Sequence, residues 1–237
     1  MAKLLIIIPA FNEEENIIRV IERVRNAATQ LPADASMDIV VINDGSTDRT
    51  KEAAEKTGVT VLDLPYNVGI GATVQTGFKY AAENHYDVAV QIDGDGQHDP
   101  QFLPGLIAPV LDGKADMVIG SRFLDNRGFQ STFMRRLGIR IFYAVNSLII
   151  RQKITDNTSG FRAYSANAIH LLADEYPSDY PEPESVIILG LRKFRIHEIP
   201  VVMKEREGGR SSITLFRSLY YMVKVLLAIF INIFKKQ

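Results

Sequence analysis

The sequence predicts an α/β domain built on a mostly parallel central sheet flanked by helices, with an amphipathic helix at the C-terminus. Short apolar runs typical of strands alternate with stretches that have the apolar spacing of helices. The first apolar run is continuous, as expected of a parallel strand covered on both faces. Polar clusters follow successive strands, at the edge where such sheets bind ligands.

The first half of the chain alternates strands and helices. Asn12 is predicted to cap the first helix, with Ile17, Ile21 and Val24 on its buried stripe. Strands are predicted at "KLLIII", "MDIVVIND", "VTVLDLP", "DVAVQID" and "ADMVIGSRF". Helices are predicted at "STDRTKEAAEKTG", "IGATVQTGFKYAAEN" and in the segment before the fifth strand.

The second half is less regular. A helix is predicted at "STFMRRLGIRIFYAVNSLIIRQ", a turn-rich segment at "DNTSGFRAYS", a buried helix at "SVIILGLRKF", a strand at "HEIPVVMKER" and a mobile loop at "EGGRSS". No internal repeat or linker interrupts the sequence. We therefore predict one domain over residues 1–213 and an amphipathic helix over residues 214–237.

That final segment is the most apolar part of the chain, but Arg217 and Lys224 interrupt it. The uncharged stretch that follows is about half of the roughly 20 residues that a membrane-spanning helix needs. An interfacial helix fits better, with Lys235 and Lys236 near lipid headgroups. The alternative is a helix that packs on a small membrane protein or on a second copy of the chain.

Composition excludes several classes of protein. The chain has 237 residues and a net charge of -1, which gives no reason to expect nucleic acid as a partner. It has no cysteine, which excludes disulfides and cysteine-ligated zinc. The apolar run at the N-terminus is short and breaks at Pro9, unlike a signal peptide, so the prediction is a cytoplasmic protein.

The segment "VQIDGDGQHDP" contains the most informative polar cluster. Asp93, Asp95 and Gln97 occupy alternate positions, so an extended backbone would point their side chains to one side. Oxygen ligands of this kind suit Mg2+ or Mn2+, and glycines between them permit close approach. A solvated acidic turn is the alternative. A calcium loop is excluded because no Glu follows at the required distance, and His98 is predicted to be a neighbour rather than a ligand.

Further polar residues follow the first two strands. Glu13 and Asp44 are predicted to accept hydrogen bonds from a base or ribose, whereas Asp48 fits a helix cap. "NVGIGATVQTG" lacks the third glycine of a dinucleotide-binding fingerprint, because Val74 stands there. Signatures of P-loop ATPases and of GxSxG hydrolases are also absent from the sequence.

Arginines accumulate next to glycines in the predicted loops. A guanidinium suits bidentate phosphate contacts, although a surface salt bridge is the default explanation for each arginine alone. The arginines concerned are Arg122, Arg135, Arg136, Arg162, Arg206 and Arg210.

These motifs resemble, in the same order, those of family 2 glycosyltransferases: "IIIPAFNEEENI", "VINDGSTDRT", "NVGIGATVQTG", "QIDGDGQHDP", "GSR", "TSGFRAYS" and "REGGRSS". The branch that the chain is most similar to is that of the dolichol- and polyprenyl-phosphate sugar synthases. The resemblance extends to about Ile213. It implies a GT-A-type, Rossmann-like fold, a nucleotide-sugar donor and a Mg2+ or Mn2+ cofactor.

The resemblance also implies roles for individual residues. Pro9, Phe11, Glu13 and Asp44 would line the base and ribose pocket, Asp93 would contact the nucleotide, and Asp95 and Gln97 would hold the metal. Arg122 and one of Arg135 or Arg136 would meet phosphates. Asp156 and the turn of Ser159, Gly160, Phe161 and Arg162 would shape the acceptor side, and Arg206 and Ser211 would belong to a closing loop. Many synthases have Ala and Leu where Gly94 and Gly96 stand, and Lys where Ser212 stands, which leaves the base and the sugar open.

The reaction expected from the resemblance is an inverting transfer of a hexose to a polyprenyl phosphate on the cytoplasmic face of a membrane. The alternative is transfer to a carbohydrate hydroxyl, with Asp156 as the candidate general base. Processive polysaccharide synthesis is excluded because that branch normally uses a Gln-x-x-Arg-Trp motif and this chain has no tryptophan. A non-enzymatic sensor would not need both Asp95 and the arginines.

Overall fold

The computed structural model describes residues 1–125, 147 and 150–204. Within these residues a seven-stranded sheet has the order β3-β2-β1-β4-β6-β5-β7. The strands are β1 (Ala2–Ala10), β2 (Ala35–Asn43), β3 (Thr60–Asp63), β4 (Val88–Gln91), β5 (Met117–Ser121), β6 (Arg162–Ser165) and β7 (Ile196–Pro200). The helices are α1 (Ile17–Ala28), α2 (Thr50–Glu55), α3 (Ile70–Glu83), α4 (Leu103–Leu111), α5 (Ala166–Glu175) and α6 (Pro181–Leu191).

The predicted parallel sheet is confirmed, with one reversal. β1 pairs in parallel with β2 and β4, β2 with β3, and β5 with β7. β6 lies between β4 and β5 and is antiparallel to both. The interpretation of "DNTSGFRAYS" as a turn-rich segment was therefore wrong for its last four residues, Arg162–Ser165, which pair on both sides in the middle of the sheet.

Helices cover both faces of the sheet and explain the continuous apolar run of β1. Ile6 and Ile8 pack on the face that α1 and α4 cover, whereas Leu5 and Ile7 pack on the face that α3 and α5 cover. β1 lies between β2 and β4, so both of its faces are buried and neither needs polar side chains.

Helix α1 has the predicted buried stripe of Ile17, Ile21 and Val24, but the predicted cap was wrong. The helix begins at Ile17 and follows Asn16, not Asn12. Asn12 instead has a φ of 56° and accepts a hydrogen bond from the Thr47 backbone N–H at 2.8 Å. Its side chain therefore joins the loop after β1 to the loop after β2, at the edge where the polar clusters lie.

Other differences concern the ends of elements. α2 is shorter than predicted: it begins at Thr50, and the residue at its N-cap is Arg49 rather than Asp48. Asp48 accepts hydrogen bonds from the Thr50 backbone N–H at 3.0 Å and from the Glu14 N–H at 3.1 Å, so it joins the start of this helix to the loop after β1. α5 was not predicted. No helix within the described part of the chain has the length and apolar character needed to cross a bilayer. Residues 214–237, the predicted interfacial helix, lie outside the described residues, and the division into residues 1–213 and 214–237 stays a prediction.

Candidate active site at the carboxyl edge of the sheet

The carboxyl ends of the parallel strands bring the predicted polar residues to one edge. Asp44 follows β2, and its N–H donates to the carbonyl of Ala10 at the end of β1 at 2.9 Å. On the other side of β1, the N–H of Gly94 donates to the carbonyl of Pro9 at 3.3 Å. The loops after β1, β2 and β4 are therefore held side by side by main-chain hydrogen bonds.

The segment after β4 has the alternation that its sequence predicts. Asp93, Asp95 and Gln97 are partly exposed, whereas Gly94 and Gly96 between them are buried. Gly96 has a φ of 77°, and a Cβ on Gly94 would lie 3.1 Å from the carbonyl oxygen of Pro9. Both glycines are therefore required by the backbone, one by its conformation and the other by close packing.

Asp95 and Gln97 offer oxygen atoms to a divalent cation. The Asp95 carboxylate accepts the Gln97 N–H at 3.0 Å, which folds the two residues into a turn. The Gln97 Nε2 faces the carbonyl of Lys204 at 3.4 Å, so Oε1 is the amide atom left for a metal. Residues 1–125 and 150–204 contain no group of three acidic or histidine side chains that could hold a metal by themselves. The donor set fits Mg2+ or Mn2+ that takes its other ligands from water and a diphosphate.

The side chain of His98 contacts Asp93, which agrees with the interpretation of His98 as a neighbour of the acid segment rather than a ligand. Its Nδ1 accepts the Asp93 N–H at 3.1 Å, and its Nε2 lies 3.7 Å from the Asp93 carboxylate. The imidazole is buried and stacks on the ring of Phe161 with 5.1 Å between centroids. The acid segment therefore packs directly on the turn that was predicted to shape the acceptor side.

The side predicted to bind the base has buried acids and an exposed ring. The Asp44 carboxylate accepts the N–H groups of Val68 at 2.7 Å and Gly69 at 3.1 Å, which fixes the loop before α3. Glu13 is buried and accepts from the Asn16 side chain at 2.7 Å, whereas Phe11 is 44% exposed. A direct contact of Asp44 or Glu13 with a base or ribose stays a prediction.

Arg122 follows β5 and forms a bidentate pair with Asp156. Its Nε and Nη2 donate to the two carboxylate oxygens, each at 2.7 Å, and its backbone N–H donates at 3.0 Å. Asp156 is fully buried; burial acts to raise its pKa, but the bonds and charge of Arg122 outweigh this and hold the pKa below its ordinary value. Among the described residues Nη1 of Arg122 makes no hydrogen bond, so it is the atom available to an anion.

Arg162 was predicted on the acceptor side as one of the phosphate-contacting arginines, and its geometry differs from that expectation. The guanidinium is fully buried and donates to the carbonyls of Ser159 at 2.6 Å, Glu182 at 2.8 Å and Asn157 at 2.9 Å. It also donates to the hydroxyl of Ser185 at 3.0 Å. Its donors are used within the protein, so Arg162 shapes the turn from inside and does not present its charge to a ligand.

The turn that Arg162 holds contacts the acid segment through Gly160. A Cβ at Gly160 would lie 2.9 Å from one carboxylate oxygen of Asp93 and 3.2 Å from the side-chain nitrogen of Gln91. Ser159 is fully buried and accepts the Phe161 N–H at 3.3 Å. The structure therefore brings the acceptor-side turn and Asp93 into direct contact, which sequence spacing alone did not predict.

Two acidic residues in the same region were not singled out from the sequence. Glu182 lies in the first turn of α6 and is half-buried. Burial raises the pKa of its carboxyl group; the charge of Arg162 opposes this rise, and the charge of Asp93 adds to it. Glu198 on β7 has a pKa that burial raises, partly offset by the hydrogen bonds it accepts from Thr155 and Asp156. The sequence offered one signal for each residue: Glu182 stands between two prolines before the predicted buried helix, and Glu198 is an acid inside an apolar strand.

Some predicted site residues lie outside the described part of the chain. They are Arg135 and Arg136 in the predicted helix, and Arg206, Arg210 and Ser211 in the predicted closing loop. Their contacts with phosphates stay predictions. The chain reaches this loop from Lys204, whose N–H donates to the carbonyl of Gln97 at 2.9 Å and whose Nζ lies 3.0 Å from Asp99.

Comparisons with known proteins identify the relatives of this chain. The chain is 32% identical over 221 residues to an undecaprenyl-phosphate mannosyltransferase of Micrococcus luteus, covering 90% of this chain and 88% of the relative. It is 31% identical over 221 residues to a polyprenol monophosphomannose synthase of Mycolicibacterium smegmatis, covering 89% and 80%.

A solved structure with the same fold is the glucosyl-3-phosphoglycerate synthase of Mycobacterium tuberculosis in complex with Mn2+, UDP-glucose and phosphoglyceric acid. It superposes with a TM-score of 0.69 at 20% identity and covers 98% of this chain and 79% of the other. The fold is therefore that of the GT-A glycosyltransferases. The family model described as glycosyl transferase family 2 matches residues 5–172, and the chain belongs to that family.

Proposed function

We propose that this protein transfers a hexose from a nucleotide-sugar to a polyprenyl phosphate with inversion at the anomeric carbon, in a reaction that requires Mg2+ or Mn2+. The observation that carries the proposal is that three groups follow or precede adjacent strands at one edge of the sheet: Asp95 and Gln97 after β4, the Gly160 turn before β6 and in contact with Asp93, and Arg122 after β5. Two relatives named for sugar transfer to undecaprenyl or polyprenol phosphate support the acceptor class.

A phosphate acceptor is consistent with the burial and the lowered pKa of Asp156 in this site. The second pKa of a phosphate monoester is about 6, so its oxygen is already a nucleophile near neutral pH. Asp156, the candidate base for a hydroxyl acceptor, is fully buried and paired with Arg122, with a lowered pKa. A carboxylate in that state is a poor general base, and we assign it the orientation of Arg122 instead.

The residues have distinct roles in the proposed reaction. Asp95 and Gln97 would hold the cation, which supplies charge to stabilise the departing nucleoside diphosphate. Arg122 would place Nη1 against a phosphate oxygen, and Arg135, Arg136 and Arg206 would add positive charge around the two anions. Asp93, fixed by its contact with His98, would meet the donor next to Gly160. The donor side would be completed by Pro9, Phe11, Glu13, Asp44 and Ser211.

A carbohydrate hydroxyl remains the second candidate acceptor, and Glu182 is the observation that favours it. Its carboxyl group is half-buried and its pKa is raised by burial and by the charge of Asp93. A general base with a raised pKa is what a hydroxyl acceptor would need. In this second candidate Glu182, rather than Asp156, takes the proton.

A donor panel separates the two candidates. UDP-glucose, UDP-GlcNAc and GDP-mannose, each radiolabelled, are incubated with undecaprenyl phosphate and Mn2+ or Mg2+. We expect label in the extractable lipid phosphate with one donor, and its loss on chelation or in Asp95→Ala. Label that appears only in an added oligosaccharide, and that disappears in Glu182→Gln, would replace the first candidate with the second.

The membrane contact is a separate part of the proposal. An amphipathic helix over residues 214–237 would hold the enzyme peripherally on the cytoplasmic face, where the acceptor headgroup lies. Full-length protein should float with anionic vesicles, and Phe230→Asp should reduce that binding. Unchanged flotation of Phe230→Asp, or self-association that this variant abolishes, would favour a protein partner or an oligomer.

A further inference from the structure

Glu198 lies behind the pair of Arg122 and Asp156, on a strand that carries no predicted site residue. It is on β7, where it pairs in register with Ile119 of β5. One carboxylate oxygen accepts the backbone N–H of Thr155 at 2.8 Å and the other accepts that of Asp156, also at 2.8 Å. The carboxylate therefore fixes two consecutive residues of the loop that leads to β6.

Thr155 strengthens this attachment. Its hydroxyl lies 3.0 Å from both carboxylate oxygens of Glu198 and 2.9 Å from the hydroxyl of Ser121, the last residue of β5. The loop is thus tied to β7 and β5 together. Since Arg122 directly follows Ser121, the arginine and its carboxylate partner are held by the same cluster.

The cluster fixes two of the three nitrogen atoms of the Arg122 guanidinium. Asp156 occupies Nε and Nη2, and the hydroxyl of Thr158 also accepts from Nη2. A shift of the loop at Thr155 would rotate the Asp156 carboxylate and, with it, the planar guanidinium. Nη1 lies in the same plane and makes no hydrogen bond to the residues that the structure describes, so its direction depends on where Glu198 holds the loop.

We propose that Glu198 is a positioning residue of the transfer reaction: it holds the backbone of Thr155 and Asp156, and through them it aims Nη1 of Arg122 at a phosphate oxygen of the substrates. The inference rests on the proposed function. It also explains an arrangement that stability alone does not favour, namely a second, largely buried carboxylate beside Asp156. Its pKa is raised by burial and further by the charge of Asp156.

Glu198→Gln tests this positioning at constant side-chain volume. The amide nitrogen replaces one oxygen, so one of the two backbone N–H groups loses its acceptor. The matched control is Glu175→Gln, since the one ion pair that Glu175 makes within the described residues is with Arg192 at the surface. The direct readout is the Nε–H signal of Arg122 in a nitrogen-15 NMR spectrum, assigned by its disappearance in Arg122→Lys.

We expect this signal to shift or broaden in Glu198→Gln and to stay in place in Glu175→Gln. In the transfer assay, kcat and kcat/KM for the nucleotide-sugar should fall together by about 10- to 100-fold, as for an interaction made in the transition state. An unmoved Arg122 signal with kcat within about twofold of the wild type would overturn the inference.

Two further outcomes keep the inference separate from the proposed function. If the wild-type enzyme transfers no sugar in the donor panel, the proposed function fails, but the NMR comparison still decides whether Glu198 orients Arg122. If Glu198→Gln does not fold, Glu198→Asp keeps the charge but shortens the side chain, so the carboxylate no longer reaches both backbone N–H groups at 2.8 Å. A normal Arg122 signal and normal kcat in that variant would contradict the inference.

Discussion

Two arginine–aspartate pairs lie at the two ends of β5 and share one geometry. At the carboxyl end, Arg122 donates its backbone N–H and two guanidinium groups to Asp156. At the amino end, Arg195 donates the same set of groups to Asp116, the residue just before the strand. The pairs differ in burial: side-chain exposure is 15% and 0% for the first pair, and 54% and 17% for the second.

This difference shows that the same contact serves different purposes at the two edges. The exposed pair joins the amino ends of β5 and β7 and has no further carboxylate behind it among the described residues. The buried pair is supported by Glu198, Thr155 and Thr158, and within the described part of the chain Nη1 of its guanidinium makes no hydrogen bond. In the proposed reaction, burial with this support would hold the Arg122 guanidinium in the orientation that a phosphate contact needs.

The largest effect is expected on the stability of the protein, when the pair of Arg122 and Asp156 is removed. Asp156→Asn leaves the charge of Arg122 buried without its partner, and we expect the free energy of unfolding to fall by about 3–5 kcal/mol. Asp116→Asn, the matched change in the exposed pair, should lower it by no more than about 1 kcal/mol. Urea unfolding of both variants measures the difference. Equal losses would contradict the distinction between the two ends of β5.

A change in the acid segment should affect chemistry rather than stability. Asp95→Asn removes the carboxylate proposed to hold the cation, and we expect kcat to fall by about 10²- to 10³-fold. Because Asp95 is partly exposed, the unfolding midpoint should stay close to that of the wild type. Asp112→Asn, which changes only a surface pair with Lys114, is the control and should retain full activity. Wild-type turnover in Asp95→Asn would contradict the assignment.

Gly160→Ala should have an intermediate effect. The added methyl group would lie 2.9 Å from the Asp93 carboxylate, so either that side chain or the turn must move. We expect kcat to fall by about tenfold, as for a small misplacement of a positioned group. Gly113→Ala is a useful contrast, because its Cβ would meet no atom within 4 Å although its φ of 65° adds strain. A fully active Gly160→Ala would show that the contact with Asp93 is dispensable.

The smallest expected effect is the pH dependence of the exposed pair. The hydrogen bonds from Arg195 lower the pKa of Asp116 below its ordinary value of 3.8, outweighing the opposing effect of burial. A lowered pKa means that the pair stabilises the fold above pH 3.8 and loses that contribution as pH falls through the pKa of the folded state. The stability difference between wild type and Asp116→Asn should therefore shrink below pH 3.8. A difference that is constant down to complete acid unfolding would exclude the ion pair as its origin.

The sequence predicted the parallel half of the molecule better than the other half. Strands β1, β2 and β4 have apolar runs that end at polar residues, and these local patterns fix both the element and its functional edge. The alternation in exposure of Asp93, Asp95 and Gln97 with buried glycines was also predictable, although the backbone there forms a turn and not the extended segment that the prediction assumed.

The structure of the region around β6 could not be predicted from local sequence patterns. A glycine and a serine closely precede both Arg162 and Arg122 in the sequence. Arg162 is nevertheless enclosed by the carbonyls of Ser159, Asn157 and Glu182, whereas Nη1 of Arg122 makes no hydrogen bond to the described residues. What separates them is the antiparallel placement of β6 between β4 and β5, a long-range pairing with no local signature. The support from Glu198 depends on β7 lying beside β5 in the same way.

Titration of the protein with Mn2+ in the presence of UDP or GDP, followed by electron paramagnetic resonance, tests most directly whether Asp95 holds a cation against the nucleotide. We predict that wild type and Asp112→Asn remove free Mn2+ from solution with one of the two nucleotides, and that Asp95→Asn does not. Equal Mn2+ binding by Asp95→Asn, or undiminished sugar transfer by wild-type protein stripped of metal, would contradict the proposed metal site.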